Sequence, residues 1–170
     1  MNRIWKTETE EYSTGVELIR FLKQRSLRIA AAESCTAGLA AALLADVPGA
    51  SGVFWGAFVC YTAGAKTSML GIESAVLEKY GLVSAECAGA MALGALKKSG
   101  VDAAFSITGL AGPGGDGSQT PVGTVWIAGA LKGKVDAVKY HFTGPRNELR
   151  QKAARTALEQ ILKKLKQEYR

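Results

Sequence analysis

Three segments of small residues, each placed just after a short apolar run, constrain this chain more than any other feature. They are Ala32-Glu33-Ser34-Cys35-Thr36-Ala37-Gly38, Tyr61-Thr62-Ala63-Gly64-Ala65-Lys66 and Ser106-Ile107-Thr108-Gly109-Leu110-Ala111-Gly112-Pro113-Gly114-Gly115. The apolar runs before them, 27–32, 53–61 and 103–107, read as buried strands. Hydroxyls, a lysine and bare backbone amides therefore gather at strand ends, where open α/β sheets place their ligand sites. Ala and Gly are abundant and only 8% of residues are aromatic. That mix suits helices packed closely on a sheet and not a β-sandwich, which draws on β-branched and aromatic side chains.

The spacing of turn residues and apolar positions predicts alternating helices and strands. Thr14 and Glu17 form a capping-box pair ahead of Val16, Leu18, Ile19, Phe21 and Leu22, so a first helix is expected over 14–24. A second helix is expected over 36–45, ended by Asp46, Pro48, Gly49 and Gly52. A short helix carries Lys66 and Met69 and stops at Gly71, and another covers 74–79. Ser84 caps a long Ala-rich helix to Lys98, with Gly100 at its end. Residues 108–120 read as a glycine-rich loop. Strands at 122–131 and 135–142 flank Lys132-Gly133-Lys134, a hairpin signature. The last helix starts at Pro145 and stripes Leu149, Ala153, Ala157, Ile161 and Leu165. With 170 residues, 48% of them hydrophobic, and no dividing linker, one domain over 1–170 is expected.

Other classes are disfavoured. No apolar run approaches the ~20 residues of a membrane span. The start, 1–12, is polar and lacks the basic and apolar regions of a signal peptide. Cys35, Cys60 and Cys87 are odd in number with no CxxC spacing, which disfavours a disulfide framework or zinc site. A cytoplasmic protein with reduced thiols, no metal and no cofactor is the expectation. The net charge of +6 is concentrated in residues 146–170, which carry eight Lys or Arg against three Glu. A solvated helix face explains this, and a phosphate-bearing ligand near its start is compatible with it. A nucleic-acid surface would be expected to add aromatic stacking platforms, which are missing there.

The segment 33–38 joins a strand to a helix start, so its N–H groups could hold a phosphate, stabilise an oxyanion, or simply be capped by Ser34 or Thr36. Ser34 and Cys35 are adjacent nucleophiles. The single histidine, His141, falls within a hairpin strand and reads as a strand-face residue, which disfavours a Ser-His-Asp triad. A partly desolvated lysine can be the base instead. Lys66 follows an apolar strand, has small neighbours and no adjacent carboxylate. Tyr61 could relay a proton or orient it, giving a Ser-Lys-Tyr arrangement. The Gly109–Gly115 stretch is neither a Walker A loop nor a Rossmann fingerprint.

These segments resemble the CinA C-terminal domain family, whose recurrent stretches are Glu-Ser-Cys-Thr-Gly-Gly, Tyr-Ser-Asn-Glu-Ala-Lys, Ser-Ile-Thr-Gly-Ile-Ala-Gly-Pro with Pro-Val-Gly-Thr-Val, and Phe-x-Gly-x-Arg-x-x-x-Arg. Matching positions are Glu33 to Thr36 and Gly38; Tyr61, Ala65 and Lys66; Ser106 to Pro113 apart from Leu110; Pro121 to Val125; and Phe142, Gly144, Arg146 and Arg150. The resemblance implies a three-layer α/β/α sandwich that hydrolyses the amide of nicotinamide mononucleotide to nicotinate mononucleotide and ammonia. It is similar to the stand-alone form of the domain, and a homo-oligomer, a dimer by preference, is expected. On this reading Ser34, Tyr61 and Lys66 carry the catalysis. Glu33, Cys35, Thr36, Thr108, Gly109, Ala111, Gly112, Arg146 and Arg150 contact the substrate, one arginine taking its phosphate. Two departures stand out: Ala37 for a family glycine, and Ala63-Gly64 for Asn-Glu.

Three rival readings stay open on sequence grounds. Cys35 could be the nucleophile, with Glu33 and Lys66. The chain could be a non-catalytic nucleotide-binding or competence- and damage-associated regulatory module. It could also be a nucleic-acid-associated protein acting through its basic last helix.

Overall fold

Hydrophobic periodicity and turn chemistry together produce six helices and five strands in the computed structural model, which describes residues 10–170, with side chains from residue 14. The elements are α1 (Glu10–Gln24), β1 (Ile29–Glu33), α2 (Leu39–Ala45), β2 (Phe54–Val59), α3 (Ala63–Leu70), α4 (Ser74–Tyr80), α5 (Ala85–Ser99), β3 (Ala103–Gly109), β4 (Thr124–Leu131), β5 (Lys134–His141) and α6 (Arg146–Glu168). The strands form one mixed sheet in the order β2-β1-β3-β4-β5. The β1 strand runs parallel to both β2 and β3, while β3, β4 and β5 follow one another antiparallel.

The sheet is covered on both faces, so β1 and all of β3 up to Thr108 are buried. Ile29 and Ala31 of β1, Phe105 and Ile107 of β3, and Val125 and Ile127 of β4 pack with α1, α2 and α6. The opposite face is made of Ala32, Ala104, Ala128 and Ala130, against Ala88, Met91, Ala92 and Ala95 of α5. Alanine on both sides lets α5 approach closely, and Ser106 Oγ donates to the Ala88 carbonyl at 2.6 Å. A Cβ at Gly94 would lie 2.6 Å from the Leu70 carbonyl oxygen, so this helix needs glycine where the end of α3 crosses it. The expected α/β/α layering is the observed one.

Several turn signals act as read. Ser84 Oγ accepts from Cys87 N–H at 3.1 Å, and Gly100 closes α5 in the left-handed region. Lys132 and Gly133 both take positive φ, 49° and 75°, as a two-residue hairpin turn requires. His141 lies exposed on β5 opposite Thr124.

Most boundaries, those of β1, β2, β4 and β5 included, shift by one or two residues, and three differences have a specific cause. First, α1 is already helical at Glu10, so Thr14 sits inside it and does not open a capping box; no Gly or Pro separates Glu10 from Thr14. The remainder of the polar start, 1–9, lies outside the described residues. Second, α2 begins at Leu39 and not at Thr36, because Ala37 and Gly38 are left-handed, with φ of 51° and 95°. Third, β3 continues through Thr108 and Gly109, which pair with Trp126 and Val125 of β4. The antiparallel partner extends the strand beyond its apolar run.

Ala37 carries a cost that glycine would not, since a Cβ disfavours the left-handed region by about 1–2 kcal/mol. Allowing for the unfolded-state freedom of glycine, Ala37→Gly is expected to stabilise the protein by roughly 0.5–1 kcal/mol, a Tm increase of about 1–4 °C at this size. Thermal unfolding checks this; a lower Tm would mean that the methyl group contributes contacts worth more than the strain.

Candidate active site

The three small-residue segments meet at one edge of the sheet, where β1, β2 and β3 end, and the start of α6 joins them. Ser34 N–H donates to the Ile107 carbonyl at 2.9 Å and Cys60 N–H to the Glu33 carbonyl at 2.8 Å, so the strand ends continue as a ladder into the loops. From α6, Arg146 reaches both other segments: Nη1 donates to the Gly112 carbonyl at 2.5 Å and Nη2 to Tyr61 Oη at 2.8 Å. One turn later, Arg150 donates from Nε to the Cys35 carbonyl at 2.9 Å and from Nη2 to the Thr36 carbonyl at 3.0 Å. The i, i+4 spacing expected for the two arginines thus turns both toward the site.

Backbone accounting of the turn 34–38 isolates two donors. Ala37 N–H goes to the Ser34 carbonyl and Gly38 N–H to Glu33 Oε2 at 3.0 Å. Ala40 N–H also goes to Glu33 Oε2 and Ala41 N–H to Oε1, at 3.2 and 2.8 Å. Among the described residues, the N–H groups of Cys35 and Thr36 donate to no other residue. Thr36 Oγ1 is buried and is the one such side-chain atom without a partner among the described residues. Buried polar groups are almost always paired, so three unpaired donors on two consecutive residues stand out.

Lys66 is fully buried in α3, held there by a helix that Thr62 caps through Ala65 N–H at 3.2 Å. Its Nζ donates to the Cys60 carbonyl at 2.9 Å, and no carboxylate pairs with it among the described residues. Burial pulls its pKa below the usual lysine range, only partly opposed by the nearby thiols of Cys87, Cys60 and Cys35. A neutral amine that donates one N–H to a carbonyl keeps its lone pair. Ser34, 8% exposed, keeps slight access to solvent. Its neighbour Cys35 is 5% exposed, and desolvation pushes its thiol up to about 11 despite the Lys66 charge. Tyr61 is open to solvent, and because its oxygen accepts from Arg146 its own O–H remains free to donate.

Six of the residues expected to touch substrate also carry structural contacts in the fold. Both Glu33 oxygens cap the start of α2, where three N–H groups and the helix dipole hold a carboxylate. Thr108 Oγ1 donates to the Leu82 carbonyl at 2.7 Å, tying β3 to the α4–α5 turn. A Cβ at Gly109 would lie 2.7 Å from the Thr124 carbonyl oxygen, so β4 and not a ligand demands that glycine. Ala111 is packed into the core. Arg150 donates from Nε and Nη2 to the Cys35 and Thr36 carbonyls and from Nη1 to Asn147 Oδ1. Gly112, at φ 72°, would drive a Cβ to 2.5 Å from Val122 Cγ1. The carbonyl of Cys60 and the Arg146–Tyr61 contact had no sequence signal, since both depend on which loops meet.

The profile of the CinA C-terminal domain matches residues 12–165. The chain belongs to this family. It is 54% identical over 112 residues to a CinA-like protein of Akkermansia muciniphila, covering 66% of this chain and 27% of that one. It is 40% identical over 162 residues to a nicotinamide-nucleotide amidohydrolase, PncC, of Enterobacter agglomerans, covering 92% of this chain and 99% of that one. A crystal structure of a CinA superfamily protein from Klebsiella pneumoniae superposes with a TM-score of 0.90 at 31% identity, covering 94% and 99% of the two chains. The CinA-like relatives are much longer: the chain spans 36% of the length of the Thermotoga maritima protein, which is 43% identical over 149 residues. Relatives of this family therefore occur both as long proteins and at the length of this chain. No described helix is long and apolar enough to cross a membrane.

Proposed function

We propose that this domain is an amidohydrolase that converts nicotinamide mononucleotide to nicotinate mononucleotide and ammonia, with Ser34 as nucleophile. The observation that carries the reading is the fully buried Lys66, whose pKa is lowered by desolvation, in the same site as two backbone N–H groups with no partner residue. The full-length similarity to the amidohydrolase of Enterobacter agglomerans supports the reaction class.

Lys66, neutral at rest, accepts the Ser34 proton directly or through Tyr61. The serine oxygen attacks the carboxamide carbon and the carbonyl oxygen becomes an oxyanion facing Cys35 and Thr36 N–H. The C–N bond breaks, the proton held by Lys66 passes to the leaving nitrogen, and ammonia departs. Water then hydrolyses the acyl-serine ester, with Lys66 again as base. Cys35 is not assigned as the nucleophile: burial raises its thiol to about 11, so little free thiolate is present at neutral pH.

Ammonia release from nicotinamide mononucleotide, with nicotinamide riboside and NAD as comparisons, tests the reading; no release from any of the three would end it in favour of a nucleotide-binding module. Arg146, exposed and with three N–H groups left after its contacts to Gly112 and Tyr61, is the proposed phosphate ligand. Arg146→Ala is expected to raise KM for the mononucleotide by about one to two orders of magnitude, given ~1.5–3 kcal/mol for a charged hydrogen bond. The riboside, which has no phosphate, should lose little. Equal losses on both would assign Arg146 to holding Tyr61.

A further inference from the structure

The two unpaired N–H groups are aimed by the carbonyls that share their peptide planes. A trans peptide is planar, so its C=O and N–H point in opposite directions. The only cis bond in the described chain is Gly112–Pro113, so both peptides concerned, 34–35 and 35–36, are trans. The Cys35 N–H belongs to the plane of the Ser34 carbonyl, which is held by Ala37 N–H at 3.1 Å. The Thr36 N–H belongs to the plane of the Cys35 carbonyl, and that carbonyl is held by Arg150 Nε at 2.9 Å. The same guanidinium holds the Thr36 carbonyl through Nη2, and Nη1 lies 3.5 Å from Asn147 Oδ1 on its own helix. Local turn geometry therefore fixes one donor, while the other depends on a side chain 114 positions away.

Resting on the amidohydrolase reading, we propose that Arg150 is a positioning residue of the oxyanion site: its grip on the Cys35 and Thr36 carbonyls holds Thr36 N–H on the carboxamide oxygen of the substrate. A fixed planar fork suits two carbonyls on adjacent residues, as an ammonium does not. A charged donor on the Cys35 carbonyl also polarises that peptide and strengthens its N–H as a donor. Glu33 anchors the far end of the same turn at Gly38, so the turn is tied at both ends and its two free amides lie between the ties.

Arg150→Ala and Arg150→Lys in the full chain test this, with kcat and KM measured on nicotinamide mononucleotide and on its riboside. Removing an oxyanion donor outright costs ~10²–10³ in kcat, and a misaimed donor should cost about ten- to a hundredfold. The alanine variant should lose kcat by the same factor on both substrates, with KM within about twofold of the parent. Added guanidinium ion should restore part of that kcat, and lysine, which can hold one carbonyl but not fork across two, should fall between. A loss confined to KM for the phosphorylated substrate would overturn the inference and make Arg150 a phosphate ligand. Unchanged kcat in both variants would also overturn it. Should the alanine variant not fold, the lysine variant decides on the same kcat-against-KM criterion. Parent protein that releases no ammonia removes the amidohydrolase reading itself; parent activity with only KM effects at Arg150 removes this inference alone.

Discussion

Ser34→Ala is expected to lower kcat for amide hydrolysis by at least about 10⁴-fold, the scale seen when a nucleophile acting with its base is deleted. Ser34 reports a nearly buried hydroxyl whose backbone is fixed by the Ile107 carbonyl, so only the oxygen is lost and the turn should persist. Substrate binding should survive, because the proposed phosphate contact lies on α6 and the oxyanion donors are backbone groups. Cys35→Ala should be far milder, since its thiol is held protonated by burial. Ammonia release and ligand-induced shifts in Tm, measured together on both variants, separate catalysis from binding. Substantial turnover in the serine variant, or an acyl group trapped on Cys35, would transfer the nucleophile to the cysteine.

Lys66→Met is expected to abolish turnover while raising stability. The amine is completely buried, is balanced by no carboxylate and contributes one hydrogen bond to the Cys60 carbonyl. A methionine of similar volume removes the desolvation of the amine and leaves that carbonyl unpaired. Replacing buried ionisable groups by apolar ones gains up to ~1–4 kcal/mol, and the lost hydrogen bond offsets ~1 kcal/mol of it. A net gain of about 1 kcal/mol raises Tm by ~2–4 °C in a chain of this size. The sign with pH follows from the lowered pKa. Between the folded-state pKa and the unfolded value near 10.4, the unfolded chain carries a proton that the folded protein does not. Stability of the parent protein should therefore rise with pH through that window, and the methionine variant should lose this slope. Activity should fall on the acid side as Lys66 becomes protonated. Lys66→Arg should be as inactive as Lys66→Met, because a guanidinium stays charged. A methionine variant less stable than the parent, or an active arginine variant, would make Lys66 a structural or electrostatic element and not the base.

The candidate site is the part of the fold where local rules are broken. A buried lysine with no carboxylate partner among the described residues, a left-handed alanine and two amides without a partner residue all sit within the first two segments. Local violations of this kind are expected at functional sites.

Much of this could be read from residue order. Alternating apolar runs and turn residues gave the layered α/β architecture, Ser84 and Gly100 bounded α5, and Lys132-Gly133 marked the hairpin. These features are local: a cap, a left-handed turn or a buried strand is determined by a few neighbouring side chains. Lys66 could be singled out because it follows an apolar strand among small residues, which already implies desolvation. Contacts between segments could not be read this way. Glu33 and Thr108 were indistinguishable from ligand contacts until helix α2 presented three N–H groups to one and Leu82 its carbonyl to the other. Gly109 resembled a ligand cradle until β4 came within 2.7 Å of where its Cβ would be. The two arginines carried the same signal in sequence, yet one clasps Tyr61 and Gly112 and the other the Cys35 and Thr36 carbonyls. Sequence alone determined which residues are small, charged or nucleophilic and which segments become strands. Only the tertiary structure decided which hydrogen-bonding groups are already spent and which are left for a substrate, because these partners, from the α2 N–H groups on Glu33 to the Cys35 carbonyl on Arg150, are brought together by the path of the folded chain and not by residue type.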